Sequence, residues 1–313
     1  MDGRSDSCNG HPFLLILVLD NMKRIILNTL TGIFMLCGLV TVNAQTTVQP
    51  YFTVDQLPDL IKCLPAPPRF DSPEFAYDMM RYVWGKQQRL DEARAEIAKR
   101  DAVWSYEALL AEFSVPFGLN ITREDTPEIW KLMETSLTTT DAMRVAPKAF
   151  YHRQRPFERY DDPMLTGEED ELRGEGSYPS GHTMRGWTAA LLLAEVNPAA
   201  ADTIFARGWM YGESRVIAGA HWQSDVDASR VAASIAYGAL HTSPDFRAQM
   251  EKAHDEFQRL AGGGTTPSAV KAPRADGRAA GSNAAYDLQG RRLGTAPMQG
   301  IYIDADERRV VAR

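Results

Sequence analysis

From about Ser72 to Leu260 the apolar residues recur three and four apart, and no stretch alternates as a half-buried strand would. That periodicity restricts the chain to helices packed on helices. The expected helices run from Ser72-Pro73 to about Ala102, Trp104 to Phe113, Thr126-Pro127 to about Met143 and Met184 to Glu195. Three more are expected: Asn197-Pro198 to about Ala218, Ser224 to Leu240, and Pro244 to Leu260. Cysteine usage sharpens the constraint. The chain has Cys8, Cys37 and Cys63; cleavage after Ala44 would leave Cys63 alone, so packing and not a disulfide must hold the fold. With 313 residues, 44% of them hydrophobic, there is material for one substantial core and a small appendage. The expectation is an all-α body, a compact helical bundle.

The ends differ from the body. Met22-Lys23-Arg24, an apolar run from Ile25 to Val40 and the small-residue site Val42-Asn43-Ala44 read as a secretory signal peptide. On that reading Met22 is the start, residues 1–44 are removed, and the protein is periplasmic, secreted or at the cell surface. No other apolar run is long enough to span a bilayer. Gln45 to Pro68 is an extended, proline-containing lead-in, and the domain is set at 45–260. Residues 261–285, opened by Gly262-Gly263-Gly264, form a flexible linker. Residues 286–313 form a short β-like tail, with Ile301-Tyr302-Ile303 and Val310-Val311 as its strands. The pattern YDLQGRRL…GIYI…RRVV resembles the C-terminal sorting tails of exported Bacteroidetes proteins (type IX secretion).

The sequence pI near 5.5 argues against a nucleic-acid polymer as partner. Residues 45–260 hold 23 basic and 33 acidic side chains, a net of −10. A basic cluster inside so acidic a body needs a reason. Three segments supply one: KAFYHRQRPF (Lys148–Phe157), GSYPSGHT (Gly176–Thr183) and SRVIAGAHWQSD (Ser214–Asp225). Together they carry Lys148, Arg155, Arg215, Ser180, Gly181, His182, His221 and Asp225.

A phosphate monoester would use every one of these. Phosphoryl transfer spreads negative charge over three equatorial oxygens, with nucleophile and leaving group in line. Arg155 and Arg215 present guanidinium forks, and Lys148 a movable point charge. Gly181 lets backbone approach an anion, and Ser180 can cap the following helix while donating its hydroxyl. His182 then sits beside the anion as a general acid. Asp225, four residues after His221 and expected on the same helical face, would fix the tautomer of His221 and expose its other nitrogen as nucleophile. The scheme calls for no metal and no cofactor.

The order K-x6-R-P, P-S-G-H, S-R-x5-H-x3-D resembles the type-2 phosphatidic acid phosphatase and vanadium haloperoxidase superfamily. The strings GSYPSGHT, HWQSDVDA and LPAPPRFDSPEFAYD (Leu64–Asp78) are similar to the class A bacterial nonspecific acid phosphatases. The likeness covers about residues 60 to 250. It implies a helical fold and metal-independent hydrolysis of small phosphomonoesters through a phosphohistidine, with phosphotransfer to alcohols in many members. It implies the same roles: His221 nucleophile, His182 acid, Asp225 orienter, and Lys148, Arg155, Ser180, Gly181 and Arg215 phosphate ligands. It also suggests a homo-oligomer. Two alternatives use the same residues, a vanadium-dependent haloperoxidase and a non-catalytic phosphate-binding protein.

Beside these, His11, His152, His241 and His254 are expected to be solvated or packed. Glu168-Glu169-Asp170-Glu171 is expected as a solvated loop, or as an acidic border of the pocket mouth that disfavours highly charged substrates. Trp84, Trp104, Trp130, Trp187 and Trp209 are expected in the core, and Trp222 at the pocket wall.

Overall fold

The computed structural model describes residues 48–262 and the backbone of four short strands between 285 and 312. The signal-peptide and linker readings lie outside the described residues. Residues 48–262 are helical, with no strand among them.

Twelve α-helices follow in order: α1 Leu60–Cys63, α2 Phe75–Gln88, α3 Glu92–Arg100, α4 Tyr106–Phe117, α5 Pro127–Asp141, α6 Val145–Tyr151, α7 Pro156–Tyr160, α8 Glu169–Leu172, α9 Gly181–Val196, α10 Ala201–Ile217, α11 Gln223–Leu240 and α12 Pro244–Gly262. The lead-in is not wholly extended. It holds a 3₁₀ turn at Val54–Gln56 and α1, whose first turn is capped by the Asp59 carboxylate on the Ile61 N–H at 3.0 Å.

The expected long helix from Ser72 is two helices. Asp91 ends the run because its carboxylate accepts from Arg94 N at 3.2 Å and starts α3 as an N-cap. Within α2 the buried positions are Phe75, Asp78, Tyr82 and Gly85, while Met79 and Val83 face solvent. The helix expected at Trp104 starts at Tyr106, capped by Ser105, and ends at Gly118 with φ 93°.

Helix α9 is the axis of the bundle. It is buried almost all round, and α4, α5, α10 and α11 pack on it. Its crossing with α10 depends on a glycine: a Cβ at Gly186 would come within 2.5 Å of the Tyr211 ring. The main core gathers Phe113, Phe117, Ile129, Leu132, Leu137, Leu192, Leu193 and Phe246 around this axis. Burying such a side chain contributes about 1.5–3 kcal/mol each, so this end anchors the frame.

The four tail strands are β1 Ala285–Tyr286, β2 Arg292–Leu293, β3 Ile301–Asp304 and β4 Arg309–Ala312, an antiparallel sheet in the order β2-β1-β3-β4. In it Tyr302 pairs with Val311 and Ile303 with Val310.

Candidate active site

All three basic segments meet at one end of α9. Ser180 caps α9 as expected: its hydroxyl accepts from Thr183 N at 3.4 Å and from Thr183 Oγ1 at 3.0 Å. Ser180 N donates to the Asp225 carbonyl at 3.3 Å, and Ser229 Oγ donates to the Ser180 carbonyl at 2.9 Å. The starts of α9 and α11 are thereby tied together.

Lys148 lies on α6 and is buried. Its Nζ donates to the Gly176 carbonyl at 2.6 Å. The backbones can meet so closely only because position 176 is glycine, since a Cβ there would lie 2.3 Å from the Lys148 carbonyl oxygen. At Gly181 the close neighbours are protein: a Cβ would lie 2.9 Å from Arg144 Cδ and 3.3 Å from the Trp104 ring.

His221 and Asp225 do not share a helical face. His221 sits in the turn before α11, Trp222 is the N-cap, and Asp225 is the third residue of the helix. The four-residue spacing works because Asp225 reaches back as a capping carboxylate. Its Oδ2 accepts from Trp222 N at 2.8 Å and lies 3.4 Å from His221 Nδ1. The other nitrogen of His221, Nε2, is 3.1 Å from Arg155 Nη1. A guanidinium can only donate, so Nε2 carries the lone pair and Nδ1 the proton facing Asp225. Arg155 also donates to the carbonyls of Ala220 and Glu175, at 3.0 and 3.1 Å.

His182, at the second position of α9, places Nε2 3.0 Å from the Ala102 carbonyl. A carbonyl can only accept, so Nε2–H is fixed and a second proton would enter at Nδ1. Ala102 is held in place because Asp101, fully buried, binds Arg207 and accepts from Ser214 Oγ at 2.6 Å on α10. Trp104 packs its ring on His182 with centroids 4.6 Å apart, and Arg185 covers that ring at 3.3 Å. Trp104 is therefore at the site and 44% exposed, not in the core. Trp209 is likewise exposed, and only Trp130 of the five is fully buried. Trp222 is no pocket wall: it is buried behind the site among Phe70, Phe75 and Tyr82 and donates to the Gln154 carbonyl at 2.8 Å.

The electrostatics follow from burial. Desolvation, then Arg155, Lys148 and Arg215, hold His221 well below the usual histidine range. Desolvation, then Arg215, do the same to His182. Burial first, then Arg155 and Arg144, lower Lys148 to about 7. Burial and Arg215 lower Arg155 to about 10. Crowded cations of this kind gain most from a bound anion.

Two residues at the site, Arg153 and Asp78, escape the sequence reasoning, and a third belongs to the acidic run expected as a solvated loop or as a border of the pocket mouth. Arg153, buried, donates to Asp225 Oδ1 at 2.5 Å and to Asp78 Oδ2 at 2.7 Å. Asp78, from α2, accepts from Ser224 N at 2.7 Å and from Ser224 Oγ at 2.6 Å. The signal for Asp78 was a carboxylate on the buried stripe of a helix, three residues after Phe75. The third is Glu168. The acidic run is no solvated loop: residues 169–172 form α8, and the Glu168 carboxylate takes Nη1 and Nη2 of Arg215 at 3.0 and 3.1 Å.

The remaining histidines match expectation where described. His152 ends α6 with φ 43°, and His241 packs on Tyr237 with Nε2 3.1 Å from Glu195. Among the described residues no group of three His, Cys, Asp or Glu side chains gathers as a metal site would, and no helix is long and apolar enough to cross a membrane.

Two buried imidazoles, His182 and His221, thus lie among the buried cations Lys148, Arg155 and Arg215 at one end of α9. The model of the PAP2 superfamily matches residues 130–248. A non-specific acid phosphatase of Providencia stuartii is 43% identical over 212 residues, 67% of this chain and 85% of that protein. One of Salmonella typhimurium is 39% identical over 213 residues, 67% and 85% of the two chains. An acid phosphatase of Zymomonas mobilis is 36% identical over 210 residues, 67% and 79%. The chain belongs to the PAP2 superfamily and, within it, to the non-specific acid phosphatases.

Proposed function

We propose that this enzyme, an acid phosphatase by family, hydrolyses phosphate monoesters by passing the phosphoryl group through His221. The observation that carries this reading is the placement of the His221 ring, with Arg155 Nη1 3.1 Å from Nε2 and Asp225 Oδ2 3.4 Å from Nδ1, which assigns the lone pair to Nε2. Nε2 attacks phosphorus, a P–N bond forms, and the P–O bond to the alcohol breaks. His182 hands its proton to the departing oxygen. Water then attacks phosphorus and gives a proton back to His182, the P–N bond breaks, and orthophosphate leaves. An alcohol in place of that water yields a new ester, which is phosphotransfer.

Lys148, Arg155, Arg215 and the N–H groups at the start of α9 supply the positive charge that the equatorial oxygens need. His182 must enter the cycle protonated. Its pKa is low in the free protein, and a dianion beside it raises it, so turnover belongs on the acid side. Export to the periplasm or beyond is part of the proposal, supported by residues 22–44 and checked by N-terminal sequencing of the exported protein.

The test is hydrolysis of para-nitrophenyl phosphate from pH 4 to 9, with and without EDTA, by the wild type and His221→Ala. Acid-side turnover untouched by EDTA is expected, with a loss of about 10⁴-fold or more in the variant. An optimum above pH 8, or loss of activity in EDTA, would contradict the scheme.

A further inference from the structure

We propose that Trp104 is the apolar wall against which the alcohol part of the ester rests, so that the site selects phosphomonoesters of aromatic alcohols over those of small polar ones. This rests on the reading of His182 as the acid that protonates the leaving oxygen.

Lys148, Arg155 and Arg215 are buried, so a phosphate held by them lies deep in the site and its ester group must extend outward. His182 Nε2–H is taken by the Ala102 carbonyl at 3.0 Å, which leaves Nδ1 to serve the leaving oxygen. His182 is itself only 7% exposed, because the Trp104 ring packs on it with centroids 4.6 Å apart. Trp104 nevertheless keeps 44% of its surface open. An exposed tryptophan elsewhere on the surface would need no explanation. Here a substituent on the oxygen that His182 protonates passes toward solvent beside the residue that covers this imidazole, and that residue is Trp104.

The wall is fixed before a ligand arrives. Trp104 sits in the short link between α3 and α4. At one end of the link Asp101 is tied to Arg207 and Ser214 of α10. At the other, Ser105 Oγ accepts from Ala108 N at 3.0 Å and caps α4. Arg185 lies over the indole, 3.3 Å from its centroid, and its Nη2 donates to Asp141 Oδ2 at 3.0 Å. A side chain held in this way loses little rotamer freedom on binding.

A flat apolar leaving group packs on this ring, whereas a small polar alcohol leaves the indole in water. The preference therefore follows the alcohol and not the phosphate. It extends to phosphotransfer: the acceptor alcohol attacks from the place that the leaving alcohol vacates, so aromatic acceptors are favoured for the same reason.

The experiment compares kcat/KM for benzyl phosphate and ethyl phosphate, whose alcohols are of similar acidity, at pH 6 in the full chain. The proteins are wild type, Trp104→Ala, Trp104→Phe and Trp209→Ala. Trp209 is also exposed, but it packs on Trp187 and Arg230. The benzyl-to-ethyl ratio is expected to fall about tenfold in Trp104→Ala and to recover most of that in Trp104→Phe. It should not change in Trp209→Ala. Loss of packing on His182 would slow both esters alike, so the ratio separates contact with the alcohol from positioning of the acid. Inhibition of the wild type by benzylphosphonate and ethylphosphonate needs no variant, and the benzyl compound should bind about tenfold tighter. An unchanged ratio in Trp104→Ala, an equal fall in Trp209→Ala, or equal inhibition by the two phosphonates would overturn the proposal. A wild type that hydrolyses neither ester and is inhibited by neither phosphonate would instead remove the phosphatase reading itself.

Discussion

Arg153 and Arg155 are two residues apart, both buried, and in opposite electrostatic situations. Arg153 is enclosed by carboxylates, with Asp225 at 2.5 Å and Asp78 at 2.7 Å. Burial alone would lower its pKa, but Asp225 and Asp78 together outweigh burial and raise it. Arg155 meets the Ala220 and Glu175 carbonyls and His221, and the Glu175 carboxylate only at 3.7 Å. Burial and Arg215 lower its pKa to about 10. One cation is matched within the fold, and the other has no carboxylate within hydrogen-bond distance. Between them stand Asp225 and His221, so in the proposed scheme the matched side would hold His221 still while the unmatched side would receive the phosphate.

The largest expected contrast comes from exchanging each arginine for methionine. Arg153→Met leaves Asp78 and Asp225 buried without their cation, a loss of about 3–5 kcal/mol in unfolding free energy. Arg155→Met should fall by about 10²–10³ in kcat/KM through lost transition-state charge. Its stability should stay within about 1 kcal/mol of wild type. Urea unfolding with steady-state kinetics on both variants checks this. Equal destabilisation would erase the distinction.

A smaller effect sharpens it. His182 and His221 are both depressed in the fold, whereas in the unfolded chain histidine titrates near 6.5. As pH falls through that value the unfolded chain takes up protons that the fold refuses, so stability is present above about pH 6.5 and is lost below it. Two such groups give a slope of up to about 2.7 kcal/mol per pH unit. Thermal unfolding should therefore show a lower Tm at pH 5.5 than at 7.5. Sulfate, which does not titrate in this range, should restore more of it at the lower pH. A His182→Gln variant with an unaltered pH dependence would contradict the burial argument for that residue.

Much of the site was legible in the sequence because its chemistry is carried by residue type and local order. Lys148, Arg155, Ser180, His182, Arg215, His221 and Asp225 are brought to one place, as their three strings suggested. What was not legible came from long-range pairing. Asp78 serves Ser224 across 146 positions, and no spacing rule reports such a contact. Glu168 stood in a run of acids that composition alone assigns to solvent, but Arg215 draws in only the first of them. The relation of His221 to Asp225 was expected for the wrong reason, since a capping carboxylate reproduces the spacing of a helical face. Helix existence was legible throughout the body, but the break at Asp91 was hidden because the apolar period continues across it.

The most direct test of the central claim is to trap the enzyme during turnover. Para-nitrophenyl phosphate is mixed with enzyme, quenched in alkali to preserve P–N bonds, and the peptides are read by mass spectrometry. A phosphoryl group on His221, absent from Arg155→Met at equal times and still formed when EDTA is present, is the predicted result. Active wild-type enzyme that carries no phosphoryl group under single-turnover conditions, or carries it on another residue, would contradict the assignment of His221 as nucleophile.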